Sequence, residues 1–486
     1  MLFTNQLRIH LSLVSHTNIG KTTLARTLLM RDVGEVADRA HVTETTDDYV
    51  LARDTAGCEL VLWDTPGFGN SVALAKRLAG RSNPVGWFLS EVWDRMTNKA
   101  FWLNQRAIRH VRDISSVVLY LVNASELPKK APYITAEMQI LSWIGKPVII
   151  LLNQMGKPKA QAEEQADVDA WREAMRPYPF VRDILPMDAF ARCWVQEAAL
   201  FDAIGKSLPV SLHAAFETLR DVWVRARRAL YRSSVDAMAR HMWKLLQARE
   251  LVEVPSLRDH VISFAAQLGI LKKKNAALED AQTALSTQAA DSLCALTDKL
   301  LAVNGLNGAG ISKEILRRMK SDWDVAAYSI DPGSAAAVGA GVGVAGGAAA
   351  GAAADFASAG LSLGLGTLLG GILGAIGGVG AAAIYNARHK KEGIEISWSE
   401  QAAEDFMLET LLLYLAVAHF GRGRGDWQAG ESPEFWKQAV TEAMKEQKTH
   451  FQDLRRLSPE AGVEQLTRMT DTLLRTVFLR LYGRGI

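Results

Sequence analysis

One stretch, SHTNIGKTT at residues 15 to 23, limits what this chain can fold into more than any other. It fits G-x-x-x-x-G-K-[ST] at Gly20, Lys21 and Thr22 and departs only at the first place, where Ser15 replaces glycine. Such a loop needs a strand to deliver it and a helix to leave it, because only then do loop and helix N–H groups converge on a phosphate. RIHLSLV, residues 8 to 14, reads as a buried strand and LARTLL as a helix. SVVLYLVNA from Ser116, KPVIILLNQ from Lys146 and ELVLWDTPG ending at Gly67 supply further short apolar runs bounded by turn residues. Four strands alternating with helical patterns predict an α/β fold, mostly parallel, with helices on both faces of the sheet.

At 486 residues the chain exceeds one typical core. The α/β domain is placed at 1–205. From residue 211, long segments with apolar residues at three and four spacing and no strand runs predict helices. A helical region is placed at 206–330, a Gly/Ala-rich hydrophobic hairpin at 331–388 and a C-terminal helical region at 389–486. A net charge of +2 excludes a global nucleic-acid-binding charge, and no nucleic acid is expected as a partner. Cys58, Cys193 and Cys294 lie too far apart in sequence for a disulfide framework or a zinc site, which fits a reducing cytoplasm. The N-terminal apolar stretch carries polar residues and reads as a strand, not a signal peptide. HExxH does not occur, which argues against a metalloprotease.

The chemistry assigns roles within the loop. Residues Ser15, His16, Thr17, Asn18, Ile19, Gly20, Lys21, Thr22 and Thr23 are expected to surround a nucleotide, with Lys21 reaching the terminal phosphates and the Thr22 hydroxyl ligating Mg2+. Ser15 fits if its φ stays negative. In WDTPG, Asp64 can hold the metal through water and the Gly67 N–H can sense a γ-phosphate. Within ADRAHVTETTDDY, Thr43 is chosen by spacing to close over magnesium, with Thr45 and Thr46 as alternatives.

SHTNIGKT resembles the loop of the Era-like branch of translation-factor-class GTPases. RDVGEVADRA, the stretch from NASELPKK to LLNQMGKP, and DAFARCW are similar to bacterial proteins that join such a domain to a C-terminal domain of unknown function. The resemblance implies a P-loop GTPase fold, GTP and GDP as ligands and Mg2+ as cofactor. It also implies a K+ ion held by Asn18, adding positive charge beside Lys21 and Thr43 in catalysis. Ras-like proteins orient water with a glutamine after DTPG; here Phe68 stands there, so hydrolysis is expected to be slow unless a cation, a partner or a second copy in a nucleotide-dependent homodimer completes the site. The family reads guanine with N-K-x-D, but this chain has Asn153, Gln154, Met155 and Gly156, which leaves guanine specificity open. Asp188 either compensates for Gly156 or is a turn residue.

Gly339, Gly343, Gly347 and Gly351 recur every four residues, as do Gly366, Gly370, Gly374 and Gly378, in a stretch from 333 to 385 whose only charge is Asp355. These glycine zippers predict close helix contact, either in a hairpin entering a bilayer or in a soluble hairpin. RHKK at the exit agrees with a positive-inside orientation, and Arg422 with Arg424 either meets lipid phosphates or forms a basic loop. The combined expectation is a slow GTP-hydrolysing switch in the cytoplasm, peripheral or integral to the inner membrane, whose helical effector addresses a membrane or a membrane protein. A nucleotide-triggered membrane-inserting module and a non-hydrolysing scaffold are the alternatives.

Overall fold

A computed structural model describes residues 7–33, 46–91, 98–126, 131–155, 161–188, 193–252, 264–308, 385–390, 393–398, 400–421, 433–447, 451 and 453–484. Thr43, Thr45, Gly156, Arg422, Arg424 and the zipper glycines fall outside those residues. The chain divides into two compact units, Met1–Leu230 with Ala418–Gly425, and Tyr231–Val417 with Asp426–Ile486.

The first unit is built on a six-stranded sheet. Its strands are β1 (Arg8–Ser15), β2 (Asp47–Arg53), β3 (Glu59–Asp64), β4 (Val117–Asn123), β5 (Val148–Asn153) and β6 (Val181–Pro186), in spatial order β2-β3-β1-β4-β5-β6. All pair in parallel except β2, which runs antiparallel along β3 at the edge. Helices α1 (Lys21–Leu29), α2 (Ser71–Leu78), α3 (Pro84–Ser90), α4 (Lys99–Asp113), α5 (Pro132–Ile144), α6 (Gln161–Met175) and α7 (Trp194–Ser207) follow in chain order among the strands.

Alternation along the strands produces a core on each face. In β4, Val118, Tyr120 and Val122 pack with α2 to α6 through Leu74, Phe88, Ile108, Met138 and Trp171. Val117, Leu119 and Leu121 point the other way, onto Leu24, Phe201 and Trp223. A strand buried on both sides must be apolar at every position, which is why these runs are legible in the sequence. β1 has its polar members, His10 and Ser12, on alternate positions between Ile9, Leu11 and Leu13. Ser12 Oγ is satisfied by His110 Nε2 at 3.0 Å and by Ser115.

The parallel strands end together, and the chain leaves β1 between neighbours reached by opposite crossovers, β3 and β4. In such sheets the crevice beyond that reversal is where a ligand fits. The motif residues of β1, β3 and β5 all lie at this end.

The second unit is mainly helical, as expected, and also contains a small sheet. A 38-residue helix, α8 (Val210–Gln247), belongs to the first unit up to Leu230 and to the second from Tyr231, and is followed by β7 (Arg249–Val252), α9 (Phe264–Val303), β8 (Tyr385–Lys390), β9 (Gly393–Trp398), α10 (Glu400–Ala418), α11 (Glu434–Gln447) and α12 (Pro459–Tyr482). The strands β7-β9-β8 pair antiparallel, which corrects the expectation of no strand after residue 211. Tyr231 of α8 contacts Tyr414 of α10 edge to face and donates to Asp471 of α12 at 2.8 Å. Gly462 lets α12 lie against Trp243, whose ring occupies the space a Cβ would need. Among the described residues no helix is long and apolar enough to cross a membrane.

Candidate nucleotide site

β1 ends at Ser15, which is fully buried and is not among the positive-φ residues, so the condition for replacing glycine is met. Phe68 N donates to Ser15 O at 2.9 Å, and His16 bridges Phe68 in parallel. This prolongs the β1–β3 pairing past DTPG. Asn18 and Gly20 then take left-handed φ values of 65° and 93°. At Gly20 no other residue fits well: besides its φ, an added Cβ would lie 2.9 Å from Asn153 Nδ2. α1 starts at Lys21 without a side-chain cap and without an acidic residue in its first turn, leaving its N-terminal N–H groups suited to an anion.

The residues expected around magnesium and the terminal phosphates do converge. Lys21 Nζ donates to Ser15 Oγ at 3.1 Å, and the Thr22 hydroxyl donates to Asp64 Oδ2. Gly67 packs so closely that a Cβ there would lie 3.1 Å from Lys21 Nζ and 3.0 Å from Thr17 Cα. Burial pulls the Lys21 ammonium below its ordinary pKa, opposed by Asp64 and Glu137. Burial pushes the Asp64 carboxyl up, opposed by Lys21 and the Thr22 hydrogen bond. Asp64 Oδ1 is buried without a hydrogen-bond partner, an arrangement a hard cation would satisfy. The donor set of a hydroxyl and a carboxylate, both oxygen, therefore fits Mg2+.

On the other side of the loop, Asn153 is fully buried and its Nδ2 donates to Ile19 O at 2.6 Å. It thus anchors the phosphate loop from β5. Gln154 adopts φ 56°, and the next residue, Met155, donates its N–H to Asp188 Oδ2 at 2.9 Å. Asp188 thus lies beside the residues that follow β5, where it accepts a main-chain N–H.

Phe68 is fully buried in the core with Leu74 and Leu78, so its ring is turned away from the site. The phenyl group has no polar atom with which to order water.

Sequence reading missed several residues that support this site. Asn104 of α4 clamps Gly69, accepting from its N–H at 3.0 Å and donating to its carbonyl at 2.6 Å. Thr65 donates to Leu13 O at 2.6 Å, tying the DTPG segment to β1. Glu137 of α5 contacts His16 and Tyr120 at 2.7 Å each. The signal for Glu137 was one carboxylate inside the apolar run ITAEMQIL.

Fold and site together define a P-loop GTPase domain joined to a mainly helical region. The chain belongs to the family described as "Domain of unknown function (DUF3482)", whose match covers residues 183–477, more than half of the chain. Residues 10–154 match the family described as "50S ribosome-binding GTPase". No curated protein matches. Similar solved structures include an Era variant from Aquifex aeolicus bound to GDP.AlF4-, at 19% identity and TM-score 0.31, over 42% of this chain and 58% of that one. Era in complex with MgGDPNP and a segment of 16S ribosomal RNA has the same values. A bacterial selenocysteine-specific elongation factor is 15% identical with TM-score 0.27, over 42% of this chain and 29% of that one. The chain therefore spans little more than half the length of the Era structures it matches.

Proposed function

We propose that this chain is a slow GTP-hydrolysing switch whose helical region is the effector. The observation that carries the reading is the pairing of Thr22 with Asp64, whose second oxygen is buried and unpartnered, beside the Lys21 ammonium. Mg2+ bound by these oxygens would neutralise phosphate charge. The chain's own part is to hold that charge in place: the loop and α1 N–H groups surround the phosphates, Lys21 reaches the terminal ones, and Gly67 offers its N–H. Thr43 is proposed to close over them, and Asn18, exposed at the loop tip, to hold K+.

Slow turnover follows from the burial of Phe68, which leaves no side chain after DTPG to orient water. Completion by K+ or by a second copy in a nucleotide-dependent dimer is part of the proposal. The glycine stripes between 333 and 385 favour a bilayer or a membrane protein as the effector's target, since glycine costs about 1 kcal/mol per helical position in water and needs surroundings that enforce the helix.

Single-turnover hydrolysis of GTP with Mg2+, in K+ and in Na+, with Lys21→Ala as the blank, tests the reading. Slow, Lys21-dependent phosphate release that K+ accelerates is expected. Binding without release would leave the non-hydrolysing alternative, and absence of both would end the switch reading.

A further inference from the structure

Glu137 belongs to no nucleotide motif, yet it touches the loop. Its side chain is fully buried in the middle of α5. A carboxylate is expensive to bury unless directed donors satisfy it, and an apolar residue of similar size would pack there at no such cost. Tyr120 donates its hydroxyl to Oε2 at 2.7 Å, and His16 Nδ1 lies 2.7 Å from Oε1. What the acid gains for the protein is therefore a grip on the second residue of the loop.

That grip is two-sided. The His16 ring is stacked on Tyr133, one helical turn before Glu137, with centroids 4.4 Å apart. Tyr133 is itself fixed by its hydroxyl, which donates to Glu126 Oε2 at 3.0 Å. With one ring edge on Glu137 and one ring face on Tyr133, His16 has a single orientation.

From His16 the constraint passes to the lysine. Ser15 Oγ donates to the His16 carbonyl at 2.5 Å, which directs its lone pairs to the incoming Lys21 Nζ at 3.1 Å. One of the three ammonium donors is thereby used, and two remain for phosphate oxygens. A lysine side chain is rich in rotamers, so an ammonium already aimed binds with less ordering cost. Glycine at position 15 would offer no hydroxyl for this link, which gives the departure from the loop pattern a use.

We propose that Glu137 is a positioning residue for nucleotide binding: it braces His16 and, through Ser15, aims the Lys21 ammonium at the phosphates. The proposal rests on the nucleotide-binding reading, and its test has one arm that needs no nucleotide.

In the ligand-free full chain, the 15N signal of the Lys21 ammonium, assigned by its loss in Lys21→Arg, reports whether that group is ordered. It is expected to be ordered in the parent and to lose order in Ser15→Ala, His16→Phe and Glu137→Ala. The second arm is equilibrium binding of a non-hydrolysable GTP analogue with Mg2+. Glu137→Ala and His16→Phe should each weaken binding about tenfold, the size of one lost charge-assisted hydrogen bond. The double variant should be no weaker than either single one, because both break the same chain. Glu137→Gln should bind within about threefold of the parent, since its carboxamide keeps an acceptor for Tyr120 and a donor for His16, a rescue that loss of fold alone would not show.

His16→Phe keeps the stack on Tyr133 and changes a partly exposed side chain, so it carries the test if Glu137→Ala does not fold. Parent-like affinity in His16→Phe, or additive losses in the double variant, would overturn the proposal. So would a disordered Lys21 in a parent that binds nucleotide. An ordered Lys21 in a parent that binds none would instead overturn the nucleotide reading while leaving the brace standing.

Discussion

On the phosphate side of the site, Lys21, Thr22, Asp64 and Gly67 converge and their polar groups face one another. On the base side, Asn153 turns back to the loop carbonyl of Ile19, Asp188 holds the Met155 N–H, and position 156 has no side chain to offer. The difference teaches where recognition energy resides. Backbone N–H groups and one lysine can hold a phosphate chain without reference to the base, whereas reading guanine takes an acceptor left over for the ligand. Among the described residues, Asn153 on the base side supports the phosphate loop.

The largest effect belongs to the residue that sits where the two designs diverge from a fast hydrolase. Phe68→Ala should lower the unfolding free energy by about 3–5 kcal/mol in denaturant titration, because it empties a core position. Phe68→Gln should also destabilise, and should not accelerate hydrolysis; a faster enzyme would show that the segment can turn outward.

Lys21→Ala should weaken triphosphate binding by about 100-fold or more, through loss of the charged donor. Asn153→Ala sharpens the comparison further. It should weaken GTP and ATP equally, by about tenfold, since what is lost is the buried anchor of the Ile19 carbonyl and not a base contact. A selective loss of GTP would restore Asn153 to base reading.

The middle of β1 supplies a control built on residues outside the motifs. Burial holds His110 at about 4, against 6.5 for a free imidazole, while Ser12 occupies its Nε2. The unfolded chain binds the extra proton between those values, so His110 should cost stability progressively as pH falls from about 6.5 to about 4, and nothing above that window. His241, buried with Ser292 on its Nδ1, should act in the same direction. Thermal midpoints measured across this range should fall less in His110→Gln than in the parent. The smallest effect is expected from Asp188→Asn, which should change the GTP to ATP preference by less than about threefold in competition titrations.

Much of the first unit was legible because its information is local. Strands buried on both faces are continuous apolar runs, and the phosphate loop is a contiguous motif. The edge strands were not legible. β2, DDYVLAR, is half exposed and charged at both ends, and β6, VRDILP, ends in proline, so neither carries the apolar signature. The strands of the second unit, RELV, YNARHK and GIEISW, are short and polar for the same reason.

The site divides along similar lines. Lys21, Thr22, Asp64 and Gly67 could be named from spacing. Asn104 and Glu137 could not, because each meets its partner across more than thirty residues of intervening chain and belongs to no motif. For Asn153 the motif gives the place and packing adds a partner, the Ile19 carbonyl of the phosphate loop.

The central claim is that nucleotide is held by its phosphates and only weakly by its base. Equilibrium titration of fluorescent GTP, GDP and ATP analogues with Mg2+, in K+ and Na+ buffers and with Lys21→Ala as the blank, tests it most directly. The account predicts Lys21-dependent binding in which the triphosphates GTP and ATP differ by less than about tenfold, well short of what a buried bidentate base contact provides. Strong selection for guanine, or binding that survives Lys21→Ala, would contradict it.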